Sequence, residues 1–553
     1  MVRSVPPEWD EVVDVVVVGS GGAALTAALL AADGGAQVVV LEKAAMVGGT
    51  TAVSGGVMWV PNNRAMSEVG IGDSRDDALA YLNRVTAGRA SPDILASFVD
   101  TGPEALGYLE DHTPLRLKAL RFFPDYYFPY GFPGACPGGR SVEPEPFAFG
   151  RELPEWRDRL VSRGTLMSLG SYSTLAEDLF APKTAELAAE LARREADDIR
   201  PKGAALIGAL FKGLVDRGVP AHLETRVVDL ITERGAVVGV AAQDANGTRV
   251  IGARRGVVLA CGGFEWNPEM VRAYIGYDVL PLSPPNNTGD GLRMAVDAGA
   301  QLANMTSYWG TPAMLDPGIT DDDDVPIPQF EGGRGAPGTI VVNQRGVRFA
   351  NEAVPYNDFP KAFGIFDVSS GEFPNAGPGW LVLDHKAKSA TQIMSMTPNS
   401  SAPDWVAQGD TIEALAKAID IDPAVLVATL ERFNEHADAG VDPDFNRHLK
   451  GLMGPGALRP LDQPPFYAVP IYPGTLGTNG GPQVTIDGEV IGRDNQVIPG
   501  LYAAGNTAAN SFAWAYPSGG GTIAHGVVFG YRAGRHAANQ SPRFPQLTLE
   551  THP

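Results

Sequence analysis

The chain has few of the features that mark secreted, metal-binding or membrane-spanning proteins. It contains two cysteines, Cys136 and Cys261, and eight histidines without a CxxC or HExxH cluster, so no disulfide framework and no metal site are expected. No run of ~18 apolar residues occurs, and the N-terminus lacks an apolar stretch of signal-peptide type. These absences predict a cytoplasmic protein without a membrane span. The same absences are also compatible with weak attachment to a membrane through an exposed apolar patch.

Basic residues are also scarce. Lysine and arginine number 43 against 64 acidic residues, which gives a net charge of −21 and argues against nucleic acid and anionic membranes as partners. Hydrophobic residues make up 44% of the 553 residues, enough for a large core and for more than one domain. The 66 glycines are often clustered, as in proteins whose backbone approaches a ligand closely.

The N-terminal region contains the pattern of a dinucleotide-binding βαβ unit. A β-branched strand, Asp14–Val18, is followed by the turn Gly19–Ala24, the helix Leu25–Ala32 and a second buried strand, Gln37–Leu41, that ends at Glu42. A GxGxxA motif alone is weak, but strand, turn, helix, strand and acid in this order indicate a Rossmann-type nucleotide site.

The residues of this turn have distinct expected roles. Gly19 permits the tight turn, Gly21 lets a pyrophosphate approach the backbone, and Ala24 lets the helix pack closely on the sheet. Glu42 stands where a carboxylate accepts hydrogen bonds from ribose hydroxyls. The motif predicts cofactor contacts at Gly19, Gly21, Gly22, Ala23, Ala24 and Glu42.

This motif leaves NAD and FAD open, and more distant segments favour FAD. The glycine- and hydroxyl-rich loop Met46–Pro61 can wrap a longer cofactor with backbone N–H groups. Val497–Asn506 reads as a strand leading to a second cofactor-binding turn, and Val257–Phe264 and Thr288–Gly291 lie between. A cofactor segment so far along the chain is typical of flavin domains interrupted by a substrate domain.

Together these segments resemble the flavoprotein family of fumarate reductases and 3-ketosteroid dehydrogenases, over nearly the whole chain. The resemblance implies an FAD cofactor, an external quinone-like or dye acceptor and no NAD site. It places FAD-binding positions at Glu42, Lys43, Gly49, Thr50, Thr51, Ser54, Gly56, Val227, Asp290, Gly505 and Asn506.

The expected fold class is α/β, with a discontinuous Rossmann-type FAD-binding domain and an inserted α+β domain that caps the substrate. We expect the FAD-binding domain to comprise residues 1–302 and 468–553, and the catalytic domain residues 303–467. A Pro/Gly/Asp-rich stretch at residues 316–338 follows the first boundary. Its acidic run, Asp321–Asp324, is expected to be a solvated loop.

One residue expected of a fumarate reductase is missing. By the same resemblance, fumarate-reducing members use an arginine acid in the segment that corresponds to Ala513–Gly530, and this segment contains no arginine next to Tyr516 and Pro517. A dicarboxylate would also need cationic groups to bind it. The substrate is therefore expected to be uncharged at its reacting end.

The same segment resembles the ketone-binding element of 3-ketosteroid dehydrogenases. There a tyrosine hydroxyl and the N–H of the glycine four residues on, here Tyr516 and Gly520, hold the C3 carbonyl oxygen and stabilise the developing enolate. We expect a glycine at 520 because a side chain would block the steroid ring. The turn can also cradle the flavin pyrimidine, through Gly521, Thr522 and Ile523.

Two more tyrosines match the family among the fifteen in the chain. Tyr356, after the NExxPY pattern, corresponds to the proton-abstracting tyrosine, and Tyr126 to a tyrosine that assists it. Tyr127 and Tyr130 lie close to Tyr126 and could replace it by a shift of register. Since the usual pKa of tyrosine is ~10, such a base must be tuned by its neighbours or share its proton along a hydroxyl chain.

Nearby aromatic residues would suit a flat apolar ligand: Phe122, Phe123, Phe128, Phe132, Trp309 and Trp514. For each of them alone, an ordinary role in the core is an equal reading.

The favoured function is 1,2-dehydrogenation of a 3-ketosteroid, in steroid degradation. As the resemblance implies it, Tyr356 helped by Tyr126 removes the C2 proton and flavin N5 accepts a hydride from C1. Ser518 keeps a first alternative open, because a serine there resembles the Δ4-(5α)-dehydrogenases. A fumarate- or enoate-type reductase and a non-enzymatic electron-transfer flavoprotein are further alternatives. His525 and His536 receive no role.

Overall fold

The computed structural model describes residues 3–6, 8–161, 172–321, 324–449, 451 and 456–544. Its α-helices are Gly22–Asp33, Gly49–Ala52, Arg75–Thr86, Pro92–His112, Phe149–Glu152, Leu175–Leu179, Ala185–Ala196, Lys202–Asp216, Pro268–Tyr274, Asp290–Asp297, His385–Ala390, Ile412–Ala418, Pro423–Asp438 and Gly521–Ala538. Short 3-10 helices are Arg64–Val69, Pro154–Trp156, Phe359–Gly364 and Gly505–Thr507.

A nine-stranded sheet forms the nucleotide-binding half of the described structure. Its main path runs in the order Arg3–Ser4, Arg226–Glu233, Ala236–Asp244, Gly247–Leu259, Glu11–Val18, Val38–Leu41, Ala221–His222. Val497–Ala503 pairs in parallel with Gly247–Leu259, and Glu489–Ile491 pairs with Val497–Ala503. The β-branched strand Glu11–Val18 is central and buried, as the sequence predicts, because it pairs in parallel on both sides.

Helices cover this sheet. Gly22–Asp33 packs closely along the C-terminal helix Gly521–Ala538, and small residues permit the approach. At Gly530 and Gly534 an added Cβ would lie 2.4 Å from the carbonyl oxygen of Ala23 and 2.1 Å from that of Ala27. Two helices far apart in the sequence therefore pack side by side next to the nucleotide turn.

A seven-stranded sheet forms the second half of the described structure. Its main path runs Gln329–Phe330, Tyr308–Met314, Phe466–Thr478, Gly379–Asp384, Thr339–Val342, and Leu280–Pro281 and Ala407–Gly409 also pair with Phe466–Thr478. The helices Ile412–Ala418 and Pro423–Asp438 pack against it through Leu415, Leu426 and Leu430. The expected boundary at residue 467 falls inside the strand Phe466–Thr478, and the division into two domains remains a proposal.

Smaller sheets complete the described structure. One has three strands, Leu117–Ala119, Ser141–Pro144 and Met58–Trp59, and the pairs Leu302–Ala303 with Gly481–Pro482 and Phe147–Ala148 with Ile199–Arg200 form two more. The three-stranded sheet matters for function because the segment between Leu117–Ala119 and Ser141–Pro144 contains Tyr126. Of the acidic run at 321–324, residues 322 and 323 lie outside the described residues.

Candidate active site

The nucleotide turn lies at the carboxyl end of the central strand Glu11–Val18. Gly19 has φ +106°, and a Cβ there would lie 2.4 Å from the carbonyl oxygen of Ala260, so only glycine fits. Gly21 caps the helix that begins at Gly22 without a side-chain hydrogen bond, and the N–H of Gly22 donates to Thr51 Oγ1 at 3.2 Å. This arrangement suits a pyrophosphate at a helix N-terminus.

Glu42 directly follows the strand Val38–Leu41, as expected for an acid that binds a ribose. Its carboxylate accepts hydrogen bonds from Ser20 Oγ at 2.6 Å and from the N–H of Ala44 at 2.9 Å. Burial raises the pKa of Glu42 above its ordinary value. Its contact with Ser20, which the motif does not single out, fixes the carboxylate beside the turn.

Lys43, next to Glu42, belongs to an ion cluster around Asp290. Lys43 Nζ lies 3.0 Å and Arg226 Nη2 2.7 Å from the carboxylate oxygens of Asp290. Burial opposes ionisation of Asp290, but the two cations hold its pKa below the ordinary value. Lys43, Arg226 and Asp290 line one cavity together with the Gly19–Ala23 turn, and the part of the cavity that they line is called its nucleotide end.

Most of the other predicted cofactor residues line one continuous cavity of about 550 Å³. Those lining it are Gly19, Gly21, Gly22, Ala23, Glu42, Lys43, Gly49, Thr50, Thr51, Ser54, Gly56, Val227, Asp290, Gly505, Asn506, Thr522 and Ile523. Ala24 and Gly521 do not line it. Ala24 is fully buried in the helix, and the N–H of Gly521 donates to Ser518 O at 3.1 Å as its own helix begins.

Three tyrosines meet at the other end of this cavity. The ring centroids of Tyr126 and Tyr356 are 5.4 Å apart, those of Tyr126 and Tyr516 5.7 Å, and those of Tyr356 and Tyr516 5.8 Å. The hydroxyl of Tyr356 interacts with those of both others. The register at Tyr126 is therefore the predicted one, since Tyr126 lines the cavity and Tyr127 does not.

The backbone N–H of Gly520 points towards the same three tyrosines. It donates to the hydroxyl of Tyr516 at 3.3 Å, so both donors can converge on one ligand oxygen. Gly520 has φ +98°, and a Cβ there would lie 2.7 Å from the carbonyl of Val57. The close approach of the Val57 backbone is thus one reason for a glycine at this position, and the expected conflict between a side chain and the substrate ring stays a prediction.

Ser518 is not brought to the three tyrosines. It is fully buried, its hydroxyl donates to Pro124 O at 3.0 Å, and it does not line the cavity. Its position corrects the expectation of a catalytic serine: the side chain fastens the Tyr516 segment to the Tyr126 segment from behind. The neighbour that faces the chamber is Gly519, where an added Cβ would lie 2.9 Å from the Phe123 ring and 3.1 Å from Tyr126 Oη.

Burial determines how these tyrosines can act. It raises the pKa of Tyr126 and of Tyr356 well above the ordinary value near 10. Tyr516 adds to the rise for both, and Tyr126 adds to that of Tyr356. Neither ionises on its own at neutral pH. A proton taken by one of them must therefore be passed on along the hydroxyl chain.

Buried ions hold the segment of Tyr126. Asp125 accepts hydrogen bonds from Trp59 Nε1 at 2.7 Å, Arg140 Nη1 at 2.7 Å and the N–H of Cys136 at 2.9 Å. Arg140 also pairs with Asp73. Burial raises the pKa of Asp125 to about 6, so it is ionised at neutral pH. These contacts give Asp125 and Arg140 a structural role.

A second buried cluster holds the segment of Tyr356. Glu352 accepts from Arg348 Nε and Nη2, both at 2.8 Å, and Asp442 pairs with Arg348 at 3.0 Å. Burial opposes ionisation of Glu352, but Arg348 and Arg447 hold its pKa below the ordinary value. The glutamate of the NExxPY pattern is thus an anchor for the loop that presents Tyr356.

The chamber around the tyrosines is apolar. Among the described residues, the cations that line the cavity are Lys43 and Arg226, both paired with Asp290 at the nucleotide end. Apolar residues line the tyrosine end: Val57, Phe123, Leu175, Leu179, Phe180, Phe330 and Leu476. This lining agrees with the expectation of a substrate uncharged at its reacting end.

The predicted aromatic residues divide between the chamber and its surroundings. Phe123 lines the cavity, and Trp309 lies 5.1 Å from the Tyr516 ring and donates from Nε1 to Asn506 Oδ1 at 3.0 Å. Phe122, Phe128 and Trp514 are exposed, and Phe132 stacks on Tyr127. Phe330 was missed: it lies 5.2 Å from the Tyr356 ring, but nothing in its local sequence marks it.

The described residues bear on two expected absences, that of a membrane span and that of a metal site. Within these ranges no helix is long and apolar enough to cross a membrane. The same part of the chain holds no group of three or more His, Cys, Asp or Glu placed to bind a metal ion. Cys136 and Cys261 are both free.

Comparisons with known proteins agree with this geometry. The profile of a family described as FAD binding domain matches residues 14–523. The chain is 35% identical to the 3-oxosteroid 1-dehydrogenase of Mycobacterium tuberculosis, over 89% of this chain and 92% of that one. It is 36% identical to the 4-oxocyclohexanecarboxylate 2-dehydrogenase of Sinomonas cyclohexanicum, over 89% and 87%.

A solved structure is similar over almost the whole chain. The 3-ketosteroid delta1-dehydrogenase of Sterolibacterium denitrificans, in complex with 1,4-androstadiene-3,17-dione, has 34% sequence identity and a TM-score of 0.85, covering 96% of this chain and 99% of that one.

Proposed function

This chain belongs to the FAD binding domain family and, within it, to the family of the 3-oxosteroid 1-dehydrogenases, and from that membership we propose that it catalyses FAD-dependent 1,2-dehydrogenation of 3-ketosteroids. The observation that carries the proposal is the convergence of Tyr516 Oη and the Gly520 N–H beside Tyr356 and Tyr126, in an apolar chamber at one end of the nucleotide cavity.

The cavity suits FAD. The uncapped helix at Gly22 receives the pyrophosphate, Glu42 accepts from ribose hydroxyls, and the Gly505 and Thr522 turns line the cavity between the nucleotide turn and the tyrosines. When bound, FAD supplies the hydride acceptor, and an external, quinone-like acceptor regenerates it.

The residues of the chain bind the ketone and move the proton. Tyr516 and the Gly520 N–H donate to the C3 carbonyl oxygen, which acidifies C2 and stabilises the enolate. Tyr356 accepts the C2 proton while its own phenolic proton passes to the hydroxyl of Tyr126, whose proton in turn leaves for water. The apolar walls exclude water from the reacting carbons.

A cyclic ketone smaller than a steroid is a second candidate. The observation that favours it is the 36% identity to a 4-oxocyclohexanecarboxylate dehydrogenase, which by its name acts on a ketone para to a carboxylate. Against it stands the chamber: among the residues that the structure describes, those at its tyrosine end include no cation to pair with that carboxylate. We therefore prefer the steroid.

The experiment is anaerobic reduction of the purified flavoprotein, followed at the flavin absorbance near ~450 nm with the products identified. The substrates are androst-4-ene-3,17-dione, 5α-androstane-3,17-dione and 4-oxocyclohexanecarboxylate. Bleaching by the first, with a 1,2-unsaturated product, supports the proposal. A 4,5-unsaturated product from the second alone, or bleaching by the third alone, would replace it with the Δ4-(5α) or the monocyclic reaction.

Matched variants test whether the residues of the cavity are responsible for reduction of the flavin by the substrate. Tyr516→Phe removes one ketone donor and is expected to slow flavin reduction by ~10²–10³-fold. Tyr108→Phe removes a hydroxyl that bonds Asp33 away from the cavity and should leave the rate unchanged. Equal effects of the two substitutions would contradict the proposed site.

A further inference from the structure

A second set of side chains lies directly behind the three cavity tyrosines. Tyr127 follows Tyr126, Asp358 lies two residues after Tyr356, and Trp514 two residues before Tyr516. Each cavity tyrosine therefore has a close chain neighbour in this set, although the three segments are far apart in the sequence.

Asp358 joins the three segments. The hydroxyl of Tyr127 donates a short hydrogen bond to Asp358 Oδ2. Lys361 Nζ lies 3.1 Å from Asp358 Oδ1 and donates to the carbonyl oxygen of Trp514 at 3.0 Å. The ammonium also lies 4.9 Å from the Trp514 ring centroid, within cation–π range.

The segments of Tyr126 and Tyr516 have a further link of their own. The N–H of Tyr126 donates to Pro517 O at 3.1 Å, and the hydroxyl of Tyr81 donates to the same oxygen at 2.5 Å. These bonds do not involve the segment of Tyr356. The contacts of Asp358 connect that segment to both others.

We propose that Asp358 is a positioning residue for the reaction: through Tyr127 and Lys361 it holds Tyr356 at a working distance from Tyr126 and Tyr516. The inference rests on the proposed function for its kinetic consequence, but its structural consequence is independent of it. The hydrogen bonds are charge-assisted and partly buried, with 27% of the Asp358 side chain exposed, so they constrain geometry more than an exposed pair would.

Electrostatics agree with this placement. Burial is the main reason why the pKa of Tyr127 is raised, and the charge of Asp358 raises it further. Tyr127 therefore remains a hydrogen-bond donor to Asp358 at neutral pH. The same charge contributes to the raised pKa of Tyr126, after burial and Tyr516.

The test is a double-mutant cycle of Asp358→Asn and Tyr127→Phe in the FAD-loaded full chain, with androst-4-ene-3,17-dione as substrate. Each single substitution is expected to lower kcat by ~10–100-fold with a change in KM below ~3-fold, because misplaced groups slow the chemical step more than binding. The double variant should be no slower than the slower single variant, since both break one contact. Additive losses, or a loss in KM alone, would overturn the proposal.

Three further variants control for a general loss of structure. Lys361→Arg should retain at least a third of the kcat of the unchanged protein, whereas Lys361→Met should lower it by ~10-fold, because only arginine preserves the charged donor. Asp111→Asn, which removes an exposed ion pair with Arg64 at 3.0 Å, should leave kcat unchanged.

Crystal structures of the Asp358→Asn and Lys361→Met proteins separate this inference from the proposed function. The separation of the Tyr356 ring from those of Tyr126 and Tyr516 should grow by ~0.5 Å or more, whatever the substrate is. Unchanged separations would overturn the positioning role even if the steroid is turned over. A wider chamber in a protein that does not oxidise steroids would keep the positioning role and refute the function.

Discussion

The two ends of the cavity are built by different means. The nucleotide end relies on backbone: a glycine turn, an uncapped helix and small residues that allow close packing. The tyrosine end relies mainly on side chains, and two of its three tyrosines lie in segments held by buried ions, at Asp125 and Arg140 for Tyr126 and at Glu352 and Arg348 for Tyr356. The cofactor is thus proposed to be bound mainly by backbone groups, with Glu42 as a side-chain contact, whereas the proposed reaction depends on particular side chains.

This comparison has a measurable consequence. Substitutions that keep the backbone should be tolerated at the nucleotide end and costly at the tyrosine end. The size of the effect of a substitution therefore indicates to which of the two regions the side chain belongs.

Tyr356→Phe should have the largest effect. It removes the hydroxyl that interacts with both Tyr126 and Tyr516 and that is proposed to accept the proton. Loss of such a group lowers rates by ~10²–10⁴-fold, and the flavin reduction rate measures it. The FAD content should not change.

The control for this substitution is Tyr277→Phe, which removes another buried hydroxyl pair, with Tyr308 at 2.8 Å, outside the cavity lining. Its rate should match that of the unchanged protein. If Tyr356→Phe loses FAD instead of rate, the division between the two ends is wrong.

Arg348→Met should destabilise the tyrosine end from behind. It would leave Glu352 and Asp442 as buried carboxylates without their main partner, and breaking a buried pair in this way costs about 3–5 kcal/mol. The free energy of unfolding in urea measures the loss. Arg432→Met, which breaks an exposed pair with Asp444, should cost less than about 1 kcal/mol. Equal losses would mean that the buried cluster is not an anchor.

More of the nucleotide end than of the tyrosine end could be predicted from the sequence. The turn at Gly19, the acid at Glu42 and the distant Gly505 lie where the pattern predicts, because backbone geometry imposes a local signature on the sequence. Family resemblance placed Tyr126, Tyr356 and Tyr516, and the structure brings all three together.

What surrounds those tyrosines was not predictable from the sequence. Ser518 has the sequence position of a site residue, but its hydroxyl points to Pro124, since the rotation of a turn is set by tertiary packing. Phe330 and the link from Tyr127 to Asp358 join residues far apart in the chain, and no local spacing records such contacts. Apolar and ionic neighbours of this kind appear only once the fold is known.

His525 gives a pH-dependent prediction at the helix that borders both regions. Burial lowers its pKa from the ordinary 6.5 to about 4, and Nδ1 lies 3.0 Å from Ser511 Oγ. Because the folded state binds the proton less well than the unfolded state, stability should be complete above pH ~6.5 and fall as the pH drops towards ~4, by up to ~3 kcal/mol from this group.

Urea unfolding at pH 7 and pH 4.5 checks this dependence. In His525→Gln the decrease should be smaller than in the unchanged protein, because glutamine does not titrate. The exposed His112→Gln serves as the control and should leave the decrease as it is. An identical decrease in all three proteins would assign the acid sensitivity to other groups.

Lys43→Met should have the smallest effect, although Lys43 lines the cavity and follows the ribose-binding Glu42. Removing it leaves Asp290 paired with Arg226 at 2.7 Å, so no buried charge loses its last partner. If backbone groups supply most of the cofactor binding, the dissociation constant of FAD should rise no more than ~10-fold, or about 1.4 kcal/mol. Equilibrium titration of the apoprotein with FAD measures this constant, with the exposed Arg272→Met as a control of equal charge change. Loss of FAD binding in Lys43→Met alone would show that the nucleotide end also depends on particular side chains, and the contrast between the two ends would then be one of degree.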